Sequence, residues 1–137
     1  MKNNPETKSE LTFELEEELE MERSADGGQV TLLIKHDYYS SDNEHGRALL
    51  KSFLGTVLDT QNVGTIILTD SGVKILADGS PCLAVLNDII NINMPRVLCC
   101  SDSLSFYGTA CPDFAEAVSS RVIFIEIMES VNLITAE

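Results

Sequence analysis

The sequence predicts an α/β fold in which a mostly parallel sheet carries helices on both faces. Three observations predict it. Short apolar runs rich in β-branched residues recur at 30–34, 65–69, 96–100 and 121–127, the pattern of strands buried on both sides. Between them lie segments whose apolar residues recur at three-and-four spacing, as in helices with one buried face. The two kinds alternate along the chain, as parallel strands joined by helical crossovers do.

Residues 1–28 stand apart in composition. They hold nine acidic side chains against three basic ones, a net charge of −6. Leu11, Phe13, Leu15, Leu19 and Met21 fit strand alternation broken at Glu17, whereas Leu11, Leu15 and Leu19 also fit an i,i+4 helical stripe. The segment reads either as a solvated acidic arm or as an edge strand that docks on a partner. Asp26-Gly27-Gly28 reads as a turn or linker, and residues 29–137 as the folded domain.

Val30–Ile34 is the first expected strand. Asp42 or Asn43 caps a helix that starts near Glu44, with Leu49, Leu50, Phe53, Leu54, Val57 and Leu58 on its buried side. The next strand is 65–69, followed directly by Asp70-Ser71-Gly72. Asp78-Gly-Ser-Pro leads into a second helix, with Ser80 as cap and Pro81 at its first position. Pro95 stops that helix, and Arg96–Cys100 forms the third strand. The loop Ser101-Asp102-Ser103 follows. The pattern predicts a last helix over 111–118 and a fourth core strand over 121–127, with a short element after Met128.

Length and charge bound the function. The 137 residues suit one domain. The net charge of −13 disfavours nucleic acid and anionic membrane surfaces as partners. No apolar run reaches the roughly 20 residues of a spanning helix, and the polar N-terminus lacks the order of a signal peptide. A cytoplasmic location is expected. Cys82, Cys99, Cys100 and Cys111 include no C-x-x-C, and His36 and His45 stand at no zinc-finger spacing from them. Neither a metal site nor a disulfide framework is expected, and no G-x-G-x-x-G or Walker lysine points to a nucleotide. No cofactor is therefore expected.

Ligands of open α/β sheets bind beyond the carboxyl ends of the strands. Three loops qualify: His36-Asp37-Tyr38-Tyr39, Asp70-Ser71-Gly72, and Cys99-Cys100-Ser101-Asp102-Ser103. Cys100 stands where a strand meets a helix start, a place that favours a thiolate; Asp102 works in the opposite direction. Alternation points Cys99 and Cys100 to opposite sides, so one of them is a buried, inert thiol. Cys82 reads as helix packing. Cys111 reads as a loop thiol able to resolve an oxidised Cys100 if the loops meet. No nucleophile–base pair is legible, which leaves acyl transfer without support.

Gly46-Arg-Ala-Leu-Leu-Lys-Ser-Phe-Leu, Ile66-Ile-Leu-Thr-Asp-Ser-Gly-Val-Lys, Asp78-Gly-Ser-Pro and Val97-Leu-Cys-Cys-Ser-Asp-Ser-Leu-Ser-Phe-Tyr-Gly occur in that order. Together they resemble the C-terminal, DsrE-like domain of YedF-type proteins, which are described as sulfurtransferase-like and linked to selenium metabolism. The resemblance covers about residues 29–110. It implies a three-layer, flavodoxin-like α/β/α fold, frequent homo- or hetero-oligomers, and a loop cysteine that carries sulfur as a persulfide. Such proteins typically show Cys-Gly-Thr-Cys before Leu-x-Phe-Tyr-Gly. Here Cys100, Ser101, Asp102 and Ser103 take those four places, so one thiol of the pair is missing. The Cys-Pro-x-Pro motif of the usual TusA-like domain does not occur in the chain.

Two functions follow as expectations. One is a sulfur or selenium relay, with Cys100 as carrier, Ser101 and Ser103 steadying the charged sulfur, and Asp102, Asp70, Ser71 and Gly72 lining the site. Its partners would be sulfur-donor or acceptor proteins and other copies of the chain. The other is a non-catalytic interaction or oligomerisation module that has lost part of the cysteine motif. A small-anion site at the strand ends is a third, weaker reading.

Overall fold

The computed structural model describes residues 28–137, so the expected acidic arm, apart from Gly28, lies outside the described residues. Five strands form one all-parallel sheet: β1 (Val30–Ile34), β2 (Val63–Leu68), β3 (Arg96–Cys100), β4 (Glu116–Val118) and β5 (Leu133–Ala136), in the spatial order β4-β3-β2-β1-β5. Among the described residues four α-helices connect or flank them: α1 (Glu44–Thr60), α2 (Leu83–Asn93), α3 (Ser101–Tyr107) and α4 (Ser120–Glu129). A 3₁₀ segment, Asp70–Leu76, follows β2.

Alternation along the central strands divides the interior in two. Leu32 and Ile34, Ile66 and Leu68, and Val97 and Cys99 face one side, where α1, α2 and the 3₁₀ segment supply Leu50, Leu54, Leu86, Ile89 and Val73. Leu33, Ile67, Leu98 and Cys100 face the other, where α4 supplies Ile123. Helices therefore cover both faces, as the sequence predicts.

The helix ends follow local chemistry. Asn43, rather than Asp42, caps α1: its side-chain oxygen accepts from the Gly46 N–H at 2.9 Å. α2 ends at Met94, which is left-handed at φ 51° and precedes Pro95. Asn93 then accepts from the Val63 N–H at 2.8 Å and joins that helix end to the start of β2.

Several expectations need correction. Residues 121–127 are helix, not a fourth core strand. Ser119 caps the helix by accepting from the Val122 N–H, and Ile123 and Ile127, four apart, face the sheet. Residues 111–118 are not a helix; they form a loop and the short strand β4. The fourth and fifth strands are thus β4 and the tail strand β5, which pairs with β1 from Thr31↔Leu133 to Ile34↔Ala136. α2 starts at Leu83, later than Pro81. Ser80 caps a preceding turn instead, with the Cys82 N–H bonded to its hydroxyl at 3.3 Å. Residues 101–103, expected as loop, are the first turn of α3.

Candidate functional site at the carboxyl edge of the sheet

The loops after β1, β2 and β3 meet at the carboxyl edge, as expected. His36 leaves the end of β1, and its Nδ1 lies 3.3 Å from Ser71 Oγ and 3.5 Å from Asp70 Oδ2. Its ring stacks on Tyr38 with centroids 4.8 Å apart. The Asp37 N–H donates to Ser71 Oγ at 3.3 Å. The Asp70 N–H donates to Ser103 Oγ at 2.8 Å, joining the second loop to the third.

Asp70 has a left-handed backbone, φ 48°, a conformation that favours glycine but that aspartate tolerates. Ser103 holds its N–H, and the Tyr107 hydroxyl donates to its Oδ1 at 3.0 Å. That bond raises the Tyr107 phenol above the ordinary tyrosine range, because it is made by the protonated form next to a negative charge. Tyr107 reaches Asp70 because α3 stops there. Gly108 turns left-handed at φ 65°, and the N–H groups of Gly108 and Thr109 bond back to Ser105 and Leu104.

Charge is balanced within the cluster. Asp37 is flanked by Arg47 Nε at 3.7 Å and Lys74 Nζ at 3.6 Å. Lys74 also stands 5.5 Å above the Tyr107 ring. Beyond Lys74 and Tyr107 lies an open cavity of about 540 Å³, walled by Leu76, Asp78, Thr109 and Pro112.

The same histidine nitrogen meets both Ser71 and Asp70. A hydrolytic triad needs serine on one ring nitrogen and carboxylate on the other, so His36, Ser71 and Asp70 are not one. Among the described residues, no group of three or more His, Cys, Asp or Glu side chains could hold a metal ion.

The expected site residues fall into two groups. Asp70, Ser71, Gly72 and Ser103 belong to the polar cluster. Ser71 is buried and engaged by both His36 and Asp37. Gly72 offers no free donor, because its N–H bonds to Thr69 O at 2.9 Å and Lys35 O at 3.3 Å. Ser101 is half-buried and Asp102 exposed on the first turn of α3. Cys100 ends β3 at the same edge, but its side chain is only 5% exposed and packs with Leu33, Ile67, Leu98 and Ile123.

Both neighbouring thiols of the Cys99-Cys100 pair are thus buried, on opposite faces, whereas one buried partner was expected. Burial pushes Cys99 up to about 12, with the contact to Cys111 adding to it. Burial also pushes Cys82 up to about 11, against the pull of Lys51. Cys82 packs in the core beside Leu86, as expected. Cys111 is exposed, with its thiol against Ala115 O at 3.5 Å; a role in resolving Cys100 was expected only if the two loops met. Lys74 and Tyr107 were not expected as site residues; the Tyr107-Gly108 pair that ends α3 is the one signal that could have marked Tyr107.

No family model matches the chain, and no curated protein matches it. Among solved structures it is similar to the ychN protein from E. coli, with a TM-score of 0.55 and 14% identity over 78% of this chain and 97% of that one. At that identity the likeness is one of fold. The shared fold is a flavodoxin-like α/β arrangement, a parallel sheet with helices on both faces. No helix among the described residues is long and apolar enough to cross a membrane.

Proposed function

We propose that this chain is a sulfur- or selenium-handling relay of the DsrE-like kind, in which Cys100 takes up sulfur as a persulfide and passes it to a partner protein. The supporting observation is the position of Cys100: it closes β3 at the edge where the three loops converge, in a fold shared with a DsrE-like protein. In the uptake step the Cys100 thiolate attacks the outer sulfur of a donor persulfide. The donor's S–S bond breaks, the donor leaves as a thiolate, and Cys100 carries the S–SH group. Ser103 Oγ accepts from Asp70 and keeps its O–H to donate; with Ser101 it would steady the charged sulfur.

A thiol that is 5% exposed is closed to a donor. The relay therefore requires α4 or the first turn of α3 to move aside before transfer. Persulfide-trapping mass spectrometry on the full chain tests the reading: labelling that disappears in Cys100→Ser supports it, and equal labelling of both chains removes Cys100 from the account.

A second reading, a non-catalytic interaction module, is favoured by a different observation. The outer side of α4 exposes Val122, Phe124, Ile125 and Met128, with Phe124 55% and Met128 81% exposed, next to Val131 and Leu133 on the tail. Contiguous exposed apolar side chains mark association surfaces. Here Cys100 is a core residue and the helix joins copies of the chain. Light scattering decides it: a multimer that falls to monomer mass in Phe124→Asp supports it, and a wild-type monomer removes it.

A further inference from the structure

We infer that residues 11–21 of this same chain fold back over the outer side of α4 and cover it. The inference does not depend on Cys100. It gives the surface that self-association would use to a different occupant, and the closing experiment separates the two.

The surface is apolar and runs on into the tail. Phe124 and Met128 stand four apart and form one stripe on α4; they are 55% and 81% exposed, with Val122 and Ile125 beside them. Val131 and Leu133 extend the stripe towards β5. These six make up more than half of the exposed large apolar side chains among the described residues. Scattered apolar residues are ordinary on a surface, whereas a contiguous run marks a place that another segment occupies. Phe124, Ile125 and Met128, with Ser120 and Arg121, also line an open cavity of about 420 Å³.

The path of the chain brings the arm to this place. The strands are parallel, so α4 runs back from the carboxyl edge, where β4 ends, to the amino edge, where β5 begins. Gly28 precedes β1 at that same amino edge. The Thr31 N–H donates to Asn132 O at 2.8 Å, and Asn132 comes shortly after Met128. The arm therefore joins the domain beside the foot of the apolar stripe. Residues 22–27 reach up to about 20 Å when extended, which exceeds the roughly 15 Å length of a ten-residue helix such as α4. Asp26-Gly27-Gly28 supplies the turn that sends the arm back over α4.

The composition of the arm fits that surface. Leu11, Phe13, Leu15, Leu19 and Met21 are closely spaced, and glutamates stand between them. The arm and the rest of the chain are both net acidic, so contact needs a basic foothold. Arg121 is exposed on the lining of the α4 cavity, and the ion pairs of the described residues leave it without a partner. The charge also disfavours a second copy as the occupant. Two chains of net charge −13 repel each other on approach, whereas a tethered arm acts at an effective concentration of about 1 mM. Ile123 holds α4 to the sheet from the inner side, so the domain stays folded when the arm lifts.

Methionine oxidation by dilute hydrogen peroxide, read by peptide mass spectrometry on the full chain, tests the inference. Met128 lies under the cover. Met94, 84% exposed at the end of α2, lies outside it and serves as the control. Met128 is expected to oxidise several-fold more slowly in the wild-type chain than in the double variant Leu15→Asp/Leu19→Asp. Met94 should react equally in both, and the wild-type rate at Met128 should not depend on protein concentration. Equal Met128 rates in the two chains overturn the inference. A wild-type rate that quickens on dilution also overturns it and gives the face to a second copy. Should the double variant disturb the Met94 control, the single variant Phe13→Ser gives the same comparison with the same two outcomes.

Discussion

Tyr107 donates its hydroxyl to Asp70 Oδ1 at 3.0 Å, and this bond ties the end of α3 to the turn after β2. It is the outermost link of a chain of contacts that runs from His36 through Ser71 and Asp70 to Ser103. The cluster therefore holds three loops in one arrangement, and perturbing any link is expected to loosen the others.

Tyr107→Phe removes that link. The wild-type chain holds Tyr107 protonated beyond the ordinary tyrosine range, so Tyr107 is expected among the late-ionising phenols in an absorbance titration. Tyr107→Phe should lose that late component. By linkage, a group whose native pKa is raised contributes stability below its unfolded pKa and loses it as pH rises through the native value. The advantage of wild type over Tyr107→Phe should therefore shrink in alkaline solution; an advantage that grows with pH would contradict the bond.

Thiol counting under native conditions should find one fast cysteine per chain. Cys111 is exposed, whereas Cys82, Cys99 and Cys100 are buried. Cys111→Ser should abolish the fast phase. The raised values of Cys82 and Cys99, about 11 and about 12, carry a stability consequence of known sign. Above the ordinary thiol range the unfolded chain releases these protons and the native chain keeps them. Stability should fall by up to about 1.4 kcal/mol per pH unit for each thiol, from the ordinary thiol value of 9.0 to about 11 for Cys82 and about 12 for Cys99. Urea unfolding at stepped pH reads it.

Gly72→Ala should be costly. A Cβ there would lie 2.3 Å from Ile34 O and 3.0 Å from Ile34 C, both backbone atoms at the end of β1. Relief requires the 3₁₀ segment to move off β1, so a loss of about 1–3 kcal/mol or more is expected. Thermal melting measures it, and an unchanged midpoint would mean that the two segments do not pack so closely.

Ile123→Ala tests how α4 is held. Ile123 is the one fully buried side chain of that helix, so its truncation should cost about 2–5 kcal/mol. Exposed Met128→Ala should shift monomer stability by no more than about 0.5 kcal/mol. Equal effects at the two positions would mean that the outer side of the helix is also covered.

The legible part of this fold was its centre. β1 and β3 read out at their observed bounds because each is a short, apolar, β-branched run between polar turns, and α1 because its apolar residues repeat over four turns below an Asn cap. α4 was misread for a physical reason. Val122, Ile123, Phe124 and Ile125 are consecutive, so they carry no period, and their side chains favour strands. The Ser119 cap and the Ile123–Ile127 spacing decide for helix. β4 is three residues long, too short for any alternation to show. At the site, the convergence of three loops followed from the sheet rule, and Asp70 and Ser103 were among the residues expected to line it. The position of Cys111, whose thiol meets Ala115 O just before β4, was not legible, because β4 was the strand the pattern concealed.

The pairing of β1 with β5 sets the order in which the molecule can be completed. Lys35, just past β1, bonds at 2.9 Å to Glu137, 102 positions further on. During synthesis, β1 can find β2 early, but its other edge stays open until the tail emerges. Until then a row of unsatisfied amides and carbonyls is on offer to any extended stranger, and residues 133–136 are those that seal it.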